Sequence, residues 1–98
     1  MQVILDRRAL HAIPELGMEL PKTAAYVKTA LKDLNCQVFS PLEYAICAYF
    51  DFGAPSSIAF RADMDALPVT EETGLPFAST HEGQMHACGH DGHTAILL

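Results

Sequence analysis

HEGQMHACGHDGHTAILL, residues 81–98, passes from a histidine-rich loop into an apolar run. Residues 81–93 hold four of the chain's five histidines, three of its six glycines, Cys88 and Asp91. The run Thr94-Ala95-Ile96-Leu97-Leu98 then reads as the first turns of a buried helix. It carries no C-terminal Gly, Asn or basic last turn. An open apolar turn predicts a chain that continues, so the sequence is expected to be a piece of a larger protein. The upstream residues read as scaffolding that delivers this loop.

The chemistry of the loop centres on Cys88 and His90, two apart across Gly89. Thiolate and imidazole are both strong ligands for zinc and its neighbours. The glycine lets the backbone bend so that both side chains converge. Asp91 can add a ligand or accept a hydrogen bond from an imidazole. A helix N-terminus just beyond favours the thiolate form. A lone loop histidine is ordinarily solvated, and a lone cysteine is ordinarily a small buried hydrophobe. Four histidines and a cysteine within thirteen residues shift the balance toward a metal site. A closed structural zinc site needs four ligands, and His81, His86 and His93 are the candidates for the remainder. His11 lies in a helical pattern before Pro14 and reads as structural.

Outward from the loop, residues 66–85 hold two prolines and little periodicity, which predicts an ordered loop. Ile58–Asp63 reads as a strand ending in the acids Asp63 and Asp65. On a strand those two carboxylates share a face. They could bind metal or orient a histidine, although solvated turn acids are the commoner case, and Arg61 could simply neutralise Asp63. Residues 44–51, YAICAYFD, read as a strand covered on both faces, antiparallel to Ile58–Asp63 through the turn at 53–57. Cys36–Phe39 is a third short strand. Residues 21–34 are the clearest helix: Pro21 suits its first turn, and Leu20, Ala24, Val27, Leu31 and Leu34 form one apolar stripe. Residues 3–12 fit a shorter amphipathic helix with Asp6, Arg7 and Arg8 between its apolar positions, closed by Pro14. Glu71 and Glu72 read as a solvated pair, and Cys36 and Cys47 as core.

This order predicts an α/β layer fold: two helices, about three strands, a ligand-rich loop and the start of a helix. Residues 1–98 are one small domain or part of one. The net charge of −6 and the scattered basic residues argue against nucleic-acid binding. No apolar run approaches the ~20 residues of a membrane span, and the N-terminus lacks the features of a signal peptide. Three widely spaced cysteines argue against a disulfide framework and for a reducing, cytoplasmic compartment.

Three stretches carry a resemblance: RALHAIPELG at 8–17, FRADMDALP at 60–68 and MHACGHDGHTA at 85–95. In this order they resemble the metal-dependent amidohydrolases of the M20 peptidase family. The nearest subgroup is that of hippurate hydrolases, N-acyl-amino-acid amidohydrolases, N-acetyl-diaminopimelate deacetylases and plant auxin-conjugate hydrolases. The resemblance implies a partial three-layer α/β/α catalytic domain, here its N-terminal part, with the lid or dimerisation domain absent. It implies two divalent metal ions (Zn, Mn, Co or Ni), with Cys88 and His90 on ligand positions and the cysteine able to bridge. Asp65 falls on the acid that supports a metal-bound histidine in the wider family. That histidine's own position holds Asp63, as is normal in the subgroup. The general-base glutamate, its acidic neighbour and two further histidine ligands would lie beyond Leu98. The implied substrate is a small N-acyl amino acid or short peptide, the implied parent a homodimer, and the implied reaction metal-assisted amide hydrolysis. The 98-residue chain alone is expected to be inactive and its metal site empty or weakly occupied. Two other readings stand beside this one: a small structural zinc module, and a metal-free interaction domain.

Overall fold

The computed structural model describes residues 1–98. Two helices open the chain, α1 (Gln2–His11) and α2 (Pro21–Leu31). Strands β1 (Gln37–Phe39) and β2 (Cys47–Tyr49) follow, and α3 (His90–Leu97) closes it. The long stretch between β2 and α3 is irregular but tied down at several points. No helix is long and apolar enough to cross a membrane.

Helix α2 follows its sequence pattern. Pro21 occupies the first turn, where its missing N–H is no loss. The orphan amides of Lys22 and Thr23 are instead satisfied by the Glu15 carboxylate, at 3.1 and 2.7 Å. Leu20, Ala24, Val27 and Leu31 are buried along one stripe, and each large member contributes about 1.5–3 kcal/mol. The helix stops at Leu31, short of the expected residue 34, so Leu34 is exposed.

Helix α1 departs from its pattern. Ile4 and Leu5 face outward, whereas Asp6, Leu10 and His11 are buried. The inner face is polar because polar partners await it. Asp6 accepts hydrogen bonds from Gln2 one turn back (2.8 Å) and from the Tyr26 hydroxyl of α2 (2.6 Å). Burial and the adjoining Asp6 carboxylate push the Tyr26 phenol up to about 12. Helix α1 packs against α3, which places its C-terminal turn beside the metal-ligand candidates.

The sheet is smaller than expected and paired differently. β1 and β2 form a two-stranded antiparallel ladder, with Val38 opposite Ala48. The expected partner of residues 44–51, Ile58–Asp63, joins no strand. The sequence pattern favoured it because both segments are aromatic and β-branched. The hairpin forms instead with the segment that precedes β2, across residues 40–46. β2 is not covered on both faces either: Ala48 and Tyr49 are exposed. Cys36 and Cys47 are only half-buried, not core.

Only 15 residues are buried, and seven of these are polar or charged. The interior is therefore held as much by satisfied polar contacts as by apolar mass. Phe52, Ile58 and Phe60 remain largely exposed, at 87, 83 and 77 %. The radius of gyration, 14.3 Å, exceeds the roughly 13 Å of a compact chain this long.

Candidate metal site

The loop that carries Cys88 is anchored at both ends. The Ala66 amide donates to the Glu15 carbonyl (2.7 Å), and Leu67 and Met85 exchange a pair of backbone hydrogen bonds at 2.9 and 3.0 Å. The Thr80 amide and hydroxyl both donate to the Ala12 carbonyl, at 2.9 and 2.6 Å. Gly89 then turns the chain into α3 with φ +99°, a left-handed conformation that side-chain-bearing residues avoid. His90 is the first residue of that helix.

His90 is held in one orientation. Its Nδ1–H donates to the Asp65 carbonyl (2.8 Å) and approaches Asp65 Oδ1 (3.0 Å). That assignment places the lone pair on Nε2, which has no partner within the chain. Asp65 thus lies against His90, and Thr94 Oγ1–H donates to the Asp63 carbonyl (3.2 Å), fastening α3 to the same stretch. Cys88 is exposed and its thiol is free. Donor chemistry therefore fits a divalent metal at two positions, a thiol and an imidazole oriented through its far nitrogen. No three His, Cys, Asp or Glu side chains of the chain converge as a metal cage.

Behind this pair lies a buried ionic clamp. His11 is 1 % exposed. Its Nδ1–H donates to Asp91 Oδ2 (2.7 Å), and its Nε2–H is shared by the Glu71 oxygens (3.0 and 3.1 Å). Satisfying both contacts requires hydrogen on both ring nitrogens. Arg7 Nε also reaches Asp91 Oδ2, at 3.0 Å. Phe77 packs edge-on to the His11 ring, with the guanidinium groups of Arg7 and Arg8 over its face at 5.4 and 5.0 Å. Burial pushes the Glu71 carboxyl up, but hydrogen bonds from Thr73, the Ser79 amide and His11, with the charge of His11, outweigh it. They hold Glu71 down at about 2.

A match to known proteins now accompanies this geometry. Residues 59–98 match the model of peptidase family M20/M25/M40. An uncharacterized hydrolase of Staphylococcus aureus (strain USA300) is 47 % identical over 96 residues, 98 % of this chain and 25 % of the relative. A crystal structure of a protein from methicillin-resistant S. aureus superposes with a TM-score of 0.91 at 45 % identity, over 98 % of this chain and 26 % of that one. The Bacillus subtilis YXEP protein, described as a dinuclear metal binding peptidase from the M20 family, gives 0.87 at 41 % identity. That match covers 95 % of this chain and 27 % of YXEP. The chain thus has the fold of part of these α/β structures, and it spans about a quarter of the length of the relatives it matches.

Against the M20 match, the other sequence candidates can be placed. His81 is spent at both nitrogens: Nδ1–H donates to the Pro14 carbonyl (2.6 Å), and Nε2 accepts from Lys22 (3.0 Å). Its surroundings, with Glu15, Glu19 and Gln84, form an open surface depression that includes neither Cys88 nor His90. His93 is exposed, its ring 6.0 Å from that of His90. His86 is buried with both ring nitrogens unpartnered. Burial pushes its pKa down; Asp91 opposes this, while His11 and His90 reinforce it. Asp63 pairs with Arg61 at the surface, as the sequence allowed. Glu71 corrects an expectation: its side chain is 4 % exposed and fully engaged, not solvated. Its partner lies 60 residues away, and no local pattern announces it.

Proposed function

We propose that the chain forms the N-terminal part of the catalytic domain of an M20-type metal-dependent amidohydrolase. In this reading Cys88 and His90 supply two of the ligands of a two-metal centre, and Asp65 sets the tautomer of His90. The substrate is a small N-acyl amino acid or short peptide, as in the hippurate hydrolase and N-acyl-amino-acid amidohydrolase subgroup. Bound divalent ions would acidify a water and polarise the acyl carbonyl. The remaining ligands, the general base and the lid come from residues outside these 98, and the full protein is a homodimer. The exposed Phe52, Ile58 and Phe60 then meet the rest of that catalytic domain. A reducing compartment such as the cytoplasm suits the three free thiols.

One observation carries the reading. His90 is turned by Asp65 so that Nε2 is left open, next to an exposed thiol across a left-handed glycine. The chain's own residues do two things there. Asp65 holds the His90 proton on Nδ1, and Gly89 bends the backbone between the two donors. A self-contained structural zinc module is disfavoured, because His81 is occupied at both nitrogens and no third donor converges.

Cobalt titration of the 98-residue chain tests this. A thiolate-to-cobalt absorption band that disappears in both Cys88→Ser and His90→Gln is expected, together with no turnover of N-acyl amino acids. A band that survives either substitution sinks the assignment of ligands. Robust turnover by the chain alone sinks its partial status.

A further inference from the structure

We infer that His11 is a positioning residue for the Cys88–His90 pair: clamped between Asp91 and Glu71, it fixes the first turn of α3 so that His90 meets Asp65. The inference rests on the metal-site reading above, and it adds a residue from the opposite end of the chain.

His90 is constrained from two independent directions. Its ring is set by Asp65 through Nδ1. Its backbone is set by Asp91, the next residue, whose side chain is 2 % exposed. Asp91 Oδ2 receives both His11 Nδ1–H (2.7 Å) and Arg7 Nε–H (3.0 Å) from α1. His11 cannot turn away, because Nε2–H is held by Glu71. Glu71 in turn is fixed by Thr73 and by the Ser79 amide (2.8 Å). The loop is tied to α1 again one residue further on in each, at Thr80 and Ala12. Three segments distant in sequence therefore meet at one imidazole, and the segment they leave no freedom is the one that begins with His90. Groups that orient a ligand from behind commonly change metal affinity by 10–100-fold.

The test compares His11→Gln with Leu10→Ala, which removes a neighbouring buried side chain of α1 that takes part in none of the clamp's hydrogen bonds or ion pairs. Cobalt affinity is expected to fall about 10–100-fold in His11→Gln, with an altered band. Leu10→Ala should lower the melting temperature but leave affinity and band as in the wild type. Imidazole added to His11→Gly should refill the slot and restore both. Equal weakening by Leu10→Ala would reduce His11 to a stability residue and overturn the inference. Nitrogen NMR of the His90 ring gives a readout without metal: the Nδ1–H bond to Asp65 should weaken in His11→Gln and return with imidazole. Unchanged His90 resonances in a folded His11→Gln chain overturn the positioning role. A wild-type chain that binds no cobalt, yet shows this NMR change, would break the metal reading and leave the positioning role standing.

Discussion

His11 and His86 are both buried, at 1 and 4 % exposure, and their rings lie 6.5 Å apart. One has a carboxylate at each nitrogen; the other has no partner at all. Burial alone therefore does not decide what a histidine does. An imidazole with a carboxylate at each nitrogen is a crosslink, whereas for one without partners burial pushes the pKa down. His11 should be costly to replace, and His86 easy.

His11→Leu should produce the largest change. It removes the group that bridges two buried carboxylates, leaving Asp91 with Arg7 and Glu71 with Thr73 and the Ser79 amide, a loss of about 3 kcal/mol. Denaturant unfolding would measure it, and a loss below about 1 kcal/mol would mean that the clamp is marginal. Glu71→Gln is next, at about 1–3 kcal/mol, since it leaves one His11 N–H poorly matched. It also carries a pH signature. The folded carboxyl, at about 2, lies below its ordinary 4.5, so its contribution is present above pH 4.5 and is lost as pH falls toward 2. Glu71→Gln should flatten that acid limb, and an unchanged limb would assign acid sensitivity to other groups. Tyr26→Phe removes one hydrogen bond to the buried Asp6 and should cost about 1 kcal/mol. It tests whether the α1–α2 contact is as polar as the α1–α3 contact. The smallest effect belongs to His86→Leu. Removing two unsatisfied nitrogens should be neutral or raise the melting temperature. A clear loss would show that His86 has a partner, such as an ordered water.

The contrast also marks what the sequence could reveal. Helix α2 was legible because its stripe is local: Leu20, Ala24, Val27 and Leu31 recur at helical spacing and are buried. The turn at Gly89 and the helix start at His90 were legible for the same reason, since their signals are contiguous. The clamp was not. Asp6 and Glu71 look like surface residues, and His11 reads as structural without a partner in view, until those partners arrive from 20, 60 and 80 positions away. Electrostatic pairing leaves no periodic trace. The hairpin was misread for a related reason. Residues 36–39, 44–51 and 58–63 all have strand character, and propensity does not say which two will pair.

The stretch Phe50–Asp63 takes no backbone partner in any strand, while Phe52, Ile58 and Phe60 face solvent. Beyond the bend at 55–56, its apolar and unpaired residues 58–60 are a template for another strand. Asp51 near its start and the Arg61–Asp63 pair at its end are the charges that discourage that pairing. At high concentration, self-association is therefore expected to start from this short segment rather than from the ligand-bearing loop. Neutralising Arg61 and Asp63 together is expected to increase self-association at high concentration, read by light scattering.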